Sequence, residues 1–200
     1  MRAPPRRPLV DRVKMPIRTA RLVLRPPRRS DVPSLVPLVG DRRVSRPTRI
    51  PHPYGAPEGY EFVRSTQRHR RNGTGLALLI TDVRDGRLMG GVGLHQIDWG
   101  DRRGELGYWV APREWGRGIA PEAAYAVCRV AFRALRMHRV YAYVYAFNSR
   151  SARVLRKVGF RLEGRAREHH RDGRRWVDVL RFGLLADELR PPARRPVRAS

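Results

Sequence analysis

The segment from Glu105 to Leu135, ELGYWVAPREWGRGIAPEAAYAVCRVAFRAL, constrains the fold more than any other stretch of the chain. It begins with aromatic and branched residues, Glu105 to Val110, the composition of a strand. Pro112 ends that run, because proline has no N–H to give to a ladder. A glycine turn follows, Trp115-Gly116-Arg117-Gly118-Ile119-Ala120, and Pro121 suits the first turn of a helix, where no N–H is needed. Along that helix Ala120, Ala124, Val127, Ala131 and Leu135 form one apolar stripe. Glu122, Arg129, Arg133 and Arg136 take another face. Strand, glycine turn and helix together present backbone N–H groups and the positive end of a helix dipole to an anion. The glycines could equally serve a turn without a ligand. The pattern is neither the dinucleotide fingerprint nor the P-loop, which needs a Gly-Lys-Ser/Thr.

The flanking sequence supplies a sheet for this unit. Thr19 to Arg25 reads as a first strand, stopped by Pro26 and Pro27. Ser30 or Asp31 caps a short helix to about Val39. Asp41 to Pro57 has no period and reads as a loop, and Glu58 to Arg71 as a helix ended by Asn72-Gly73. Leu76 to Val83 and Leu88 to Ile97 are strands joined at Asp85-Gly86, a tight hairpin signal. With Glu105 to Val110 they predict three antiparallel strands. Gly90, Gly91 and Gly93 interrupt the second of these and predict a bulge or close packing. His138 to Phe147 is apolar on both faces and reads as a central strand. Its link back through the helix predicts a parallel crossover, and a split there would leave a groove at the helix N-terminus. Asn148 caps a further helix that Gly159 stops. Phe160 to Glu168 and Trp176 to Leu185 close the chain as a hairpin about Asp172-Gly173. The fold class is therefore α/β with α+β character. One domain over 17–189 has a mixed, mostly antiparallel sheet of about six to seven strands and about four helices. Residues 1–16 and 190–200, rich in arginine and proline, are expected to be disordered extensions.

Two motifs in this order resemble the GNAT acyltransferases. The family's central motif, Q/R-x-x-G-x-G/A, corresponds to Trp115-x-x-Gly118-x-Ala120. Tryptophan at the first position, within Y-W-V-x-P-x-x-W-G-x-G, is similar to the branch of the ribosomal-protein N-terminal (Rim-type) acetyltransferases. The opening T-x-R-L-x-L-R resembles the same branch. The second motif, N-x-x-S-x-x-x-x-x-K-x-G-F, spans Asn148 to Phe160. The resemblance implies acetyl-CoA as co-substrate and an amine acceptor, either a protein N-terminus or a small molecule, with the 41–57 region helping to form the acceptor pocket. It implies cofactor contacts from Trp109, Val110, Trp115, Gly116, Arg117, Gly118, Ile119 and Ala120, from Asn148 to the pantetheine arm, and from Arg153 to the phosphates. Leu155 stands where many family members have a tyrosine that protonates the departing thiolate. In the Rim-type branch a serine at the Ser151 position is proposed to serve instead, though Ser151 could equally bond only within its own helix.

Amine acylation needs a base, a stabilised oxyanion and a proton for the thiolate. Glu105, on the strand entering the glycine turn, is the candidate base; its structural alternative is an edge carboxylate paired with Arg102 or Arg103. The resemblance implies Glu168 as the second candidate, since the Rim-type branch has an acidic residue near this position. The N–H of Val110 would hold the oxyanion. Cys128, the only cysteine, sits in an apolar helix face, excludes an internal disulfide and is not needed as a nucleophile. His169 and His170 are adjacent on a strand and point to opposite faces, so no metal is expected.

A formal charge of +25 raises the question of nucleic acid. Lysine occurs only as Lys14 and Lys157 among 43 basic residues, and the arginines are spread along the whole chain. That skew fits a compositional bias better than a built patch, and predicts non-specific, salt-sensitive adhesion to polyanions. An arginine-rich nucleic-acid-associated protein, or a CoA-binding protein without catalysis, are the competing functions. No apolar run approaches the ~20 residues of a membrane span, and no signal peptide is evident. A cytoplasmic protein is expected, with a homodimer left open. The positive field favours a neutral or anionic amine over a cationic aminoglycoside.

Overall fold

In the computed structural model, which describes residues 9–191, the chain runs in order through β1 (Ile17–Arg18), β2 (Leu22–Arg25), α1 (Val32–Val39), α2 (Arg42–Ser45), α3 (Ala56–Asn72), β3 (Leu76–Asp82), β4 (Leu88–Asp98), β5 (Arg103–Val110), α4 (Ile119–Arg133), β6 (Arg139–Tyr145), α5 (Ser149–Val158), β7 (Arg161–Asp172) and β8 (Arg175–Leu185). All the strands join one sheet in the order β1-β2-β3-β4-β5-β6-β8-β7. Every neighbouring pair is antiparallel except β5 and β6, which are parallel and linked through α4.

That parallel pair is the decisive feature. It is held only at Arg103↔Arg139, Gly104↔Val140 and Glu105↔Tyr141. Beyond Glu105, β5 continues to Val110 and β6 to Tyr145 with no further pairing between them. The sheet is split over this length, as the crossover predicted. Each strand keeps its outer partner, β4 for β5 and β8 for β6, so both sides of the opening remain rigid.

The sheet separates two apolar clusters. The larger packs β2 to β6 and β8 against α4 and α5, with Leu22, Leu94, Val127, Val140, Leu155 and Phe182 among its buried members. The smaller lies under α1 and α3, around Leu35, Val39, Leu79 and Leu88. Burying one such large side chain contributes about 1.5–3 kcal/mol. The predicted stripe on α4 holds at Ala124, Val127 and Ala131, all fully buried; Leu135, also buried, lies past the helix end. The β4 glycines mark close approach: a Cβ on Gly91 would lie 2.5 Å from the Trp109 indole nitrogen.

Three expectations need correction. Strand count rises to eight because Ile17–Arg18, ahead of the expected first strand, folds back onto Val23–Leu24; the Thr19 N–H bonds the Leu22 carbonyl (2.9 Å) in the turn between them, so that first strand shortens to Leu22–Arg25. The 41–57 loop contains α2, because the Asp41 carboxylate caps the N–H of Arg43. Helices therefore number five among the described residues. The folded part also starts earlier than Ile17. Leu9–Arg12 forms a 3-10 turn, and Val10 and Val13 are buried in the main core. Two spaced valines were enough to anchor a segment whose prolines and arginines suggested disorder. The rest of that extension, and the predicted tail beyond Pro191, lie outside the described residues.

Candidate active site

A groove of about 1640 Å³ opens at the split, lined by β5, β6, the glycine turn, α5 and the 43–65 segment. Its lower end is the phosphate-type turn. Gly116 and Gly118 both have φ 78°, which only glycine adopts without strain. Gly118 precedes α4, whose first intrahelical bond runs from Glu122 N–H to the Gly118 carbonyl. Ile119 and Ala120 thus present first-turn N–H groups toward the groove they line.

Ion pairs pin this turn. Glu114, a fully buried carboxylate, gathers Arg87, Arg113 (3.4 Å) and Arg117 (2.8 Å). Glu122 accepts from the Thr19 hydroxyl (2.6 Å) and the Arg21 guanidinium (2.7 Å), and Arg21 donates to the Arg117 carbonyl (2.8 Å). Arg117 is therefore turned to Glu114 and does not line the groove, unlike its neighbours in the turn. Trp115 has a structural reason to be where it is. Its indole N–H donates to the Val110 carbonyl at 2.8 Å, tying the turn to the strand end, and Arg150 covers its ring at 4.6 Å.

Along β5 the side chains alternate. Glu105, Gly107 and Trp109 share one face; Leu106, Tyr108 and Val110 face α4 and α5. Trp109 lies across Gly91 against the smaller cluster, so its indole builds the wall on the Glu105 side of the sheet. The N–H of Ala111 bonds the Met89 carbonyl on β4 (2.9 Å), so the Val110 N–H points the other way, into the opening.

Glu105 is 1% exposed and lines the groove. It pairs with neither Arg102 nor Arg103. Its partner is Arg49, which contacts Oε1 from the solvent side; Oε2 is buried and has no hydrogen-bond partner among the described residues. Burial raises the Glu105 pKa above the usual carboxylate value, and Arg49 opposes that shift. His95 is its cross-strand neighbour on β4, with its ring 3.1 Å from where a Gly107 Cβ would lie. Desolvation by the groove walls, and then the charge of Arg49, lower the His95 pKa. The ring still reaches solvent at the rim, so it is crowded rather than sealed.

On the opposite face, the Tyr108 hydroxyl lies 2.8 Å from Ser151 Oγ and 3.1 Å from the Ser151 carbonyl. Burial holds its pKa well above the ordinary tyrosine value, so it is protonated at neutral pH. Leu155 is fully buried in the main core. Asn148 caps α5: Oδ1 accepts the Ser151 N–H (3.1 Å) and Nδ2 donates to the Pro47 carbonyl (3.3 Å). Arg153 lines the groove and touches Ser149 Oγ at 3.2 Å.

The structure thus brings together Glu105, Val110, Trp115, Gly116, Gly118, Ile119, Ala120, Asn148, Ser151 and Arg153. It does not bring in Glu168, which is exposed on β7 at a register shift, φ 46°, with its N–H on Asp178, away from the groove. Arg49, His95, Tyr108 and Glu114 were missed. Only Tyr108, inside the strand beside Glu105, carried a local signal. No cluster of metal-ligating side chains occurs among the described residues.

A sheet split thus lies beside a glycine turn, with a carboxylate on one face of β5 and a hydroxyl pair on the other. The chain belongs to the GNAT acetyltransferases: the model of the acetyltransferase (GNAT) domain matches residues 21–161. A Bacillus licheniformis relative, uncharacterized N-acetyltransferase p20, is 33% identical over 101 residues, covering 50% of this chain and 57% of that protein. The spermidine N(1)-acetyltransferase of Escherichia coli K12 is 32% identical over 80 residues, 40% of this chain and 43% of that one. The chain thus spans about half the length of these curated relatives. Mycobacterium smegmatis RimJ, solved with a CoA disulfide, superposes with TM-score 0.76 at 27% identity, covering 84% of this chain and 83% of that one.

Proposed function

We propose that this protein is an acetyl-CoA-dependent N-acetyltransferase that acts on a primary amine by direct transfer. The observation that carries the proposal is the buried, unpartnered Oε2 of Glu105 on one face of β5, opposed by the Tyr108–Ser151 hydroxyl pair on the other. Three functions are thereby separated in space around the split. Glu105 takes the proton of the acceptor amine, directly or through a water. The Val110 N–H donates to the carbonyl oxygen as charge develops there. Ser151 and Tyr108 supply the proton that the departing thiolate needs, a task Leu155 cannot perform.

Cofactor fit is supported by the turn itself. A Cβ added at Gly116 would meet no atom within 4 Å, so the space beside this glycine is open. The first-turn N–H groups of Ile119 and Ala120 lie in the same groove lining, and Arg153 and Lys157 line it too. Acetyl-CoA would supply the activated acyl group; everything else is done by this chain's residues. Of the relatives named above one is named for spermidine, and this chain shares with it a family, not an acceptor. No helix among the described residues is long and apolar enough to cross a membrane. The one cysteine, Cys128, is buried as a free thiol, in keeping with work in the reducing cytoplasm.

The test is calorimetric titration with acetyl-CoA beside ATP at moderately high salt, followed by an amine screen. Acetyl-CoA binding clearly tighter than ATP, with thiol release only when an amine is added, is the expected result. Equal, salt-sensitive binding of both would mean adhesion by charge alone and would sink the proposal.

A further inference from the structure

The acceptor end of the groove is crossed by residues 46–50, which connect α2 toward α3. Three contacts hold this strap across the split. Pro47 accepts the hydrogen bond from Asn148, Arg46 stands 5.9 Å over the Phe147 ring, and Arg49 covers Glu105. The last contact is unequal: the Arg49 side chain is 55% exposed and the Glu105 side chain 2%. Arg49 can leave for water or a ligand; Glu105 cannot follow.

The other groove-lining carboxylates at this end are already committed. Glu61 pairs with Arg64 and Arg68, and Glu58 holds the N–H of Gly55 at 2.8 Å. An incoming amine can take the empty Oε2 of Glu105. It then finds the Arg49 guanidinium beside it, with Glu58 and Glu61 already engaged. A polyamine would set its remaining ammonium groups against Arg49; Arg43 and Arg64 on the same wall are held by Asp41 and Glu61, so Arg49 carries the repulsion. An acceptor with a carboxylate close to its amine meets the reverse situation. The planar fork of Arg49 suits a carboxylate, and Tyr143 and Phe147 offer apolar surface for the carbon skeleton.

We infer that the acceptor is an amine with a carboxylate close by, as in an amino acid or the first residues of an acidic peptide, and that Arg49 selects it by passing from Glu105 to that carboxylate. Recognition and activation are then one event. When Arg49 leaves, Glu105 loses the cation that holds its proton affinity down, and becomes the stronger base as the right acceptor arrives. The inference rests on the role of Glu105 proposed above.

The test uses the full chain, acetyl-CoA and matched acceptors: short peptides with the same first residue followed by acidic, neutral or basic residues, free glutamate, and spermidine. We expect kcat/KM to fall by about tenfold at each step from acidic to neutral to basic peptide. In Arg49→Gln that preference collapses while acetyl-CoA affinity is unchanged, and Arg49→Lys restores part of it. Comparable rates on glutamate and the acidic peptide would assign a free amino acid as sufficient; activity on the peptide alone would assign a peptide N-terminus. A charge preference that survives Arg49→Gln, or spermidine as the best acceptor, overturns the inference and leaves the acyltransferase role standing. Acetyl-CoA binding with no transfer to any amine overturns both.

Discussion

At the glycine turn the groove is lined largely by backbone, and the ion pairs of Glu114, Glu122 and Arg21 hold that backbone still. At the other end the relation is inverted: the backbone of β5 is fixed by its ladder to β4, and the side chains of Glu105, Arg49 and His95 line the groove, where recognition is proposed. A site made of N–H groups tolerates many side chains, provided the glycine dihedrals survive. A site made of side chains changes its ligand with every substitution. The difference explains how one family can keep a cofactor while its members differ in acceptor.

Glu105 offers the sharpest test of this contrast. Glu105→Gln keeps the shape and the Arg49 contact while removing the base. It should lower kcat/KM by about 10²- to 10³-fold, in the range of general-base catalysis. Acetyl-CoA affinity, measured by calorimetry, should not move. Equal loss of both would mean that the two ends of the groove are not independent, and an unchanged rate would remove Glu105 from the chemistry.

How much of this was legible beforehand follows from the same division. The turn, its glycines and the α4 stripe were readable because local backbone preference and helical spacing encode them within a few residues. The split was readable as a consequence of the parallel crossover. The Arg49–Glu105 pair was not, because it joins a loop without periodicity to a strand 56 positions away. The arginines nearest in sequence, Arg102 and Arg103, were the natural partners to expect. Arg103 instead pairs with Asp98 and Asp101. Glu168 failed for a similar reason: a register shift in β7 between Ala166 and His170 changes what that position meets, and nothing in the residues announces it. Val10 and Val13 show the converse error, where composition suggested disorder and two apolar side chains decided otherwise.

On the α5 side the next effect belongs to the hydroxyl pair. Ser151→Ala and Tyr108→Phe should each reduce kcat about tenfold, and the double variant little more, because residues that act as a unit are not additive. A rate that falls for Tyr108→Phe but not for Ser151→Ala would make tyrosine alone the acid. No change in either would return Ser151 to a purely local role in its helix.

The turn offers two controls of graded size. A side chain at Gly118 must adopt φ 78° and would also approach the Arg21 guanidinium at 3.3 Å, whereas one at Gly116 faces only the dihedral. Forcing a non-glycine residue there costs about 1–2 kcal/mol. Where the free variant relaxes out of that conformation, binding must restore it at the same cost, so Gly118→Ala should weaken acetyl-CoA binding about tenfold, Gly116→Ala somewhat less, with the acceptor KM unaffected in both. If acceptor KM rises with cofactor Kd, the separation between backbone-built and side-chain-built ends is wrong.

The smallest effect concerns pH and reaches furthest into the acceptor end. Burial raises the pKa of Glu105 from its ordinary 4.5, and Arg49 pulls it back. The acid limb of kcat/KM should therefore lie above the ordinary carboxylate range, with activity gained as pH rises through the shifted value. Arg49→Gln removes the opposing cation, so the limb should move to still higher pH, the shift being small for a guanidinium this exposed. His95, lowered by burial and by the same arginine, should gain proton affinity in that variant, and Tyr141 also faces this charge. Glu105→Gln in the same profile separates them, since a limb that survives it belongs to His95. The same shift has a counterpart in stability. The folded protein holds the Glu105 proton more tightly than the unfolded chain, so this group's contribution falls as pH rises from 4.5 through the raised value. Chemical denaturation across that window should show wild type losing slightly more stability with rising pH than Glu105→Gln. A limb that moves to lower pH in Arg49→Gln would mean that Arg49 does not act on the base.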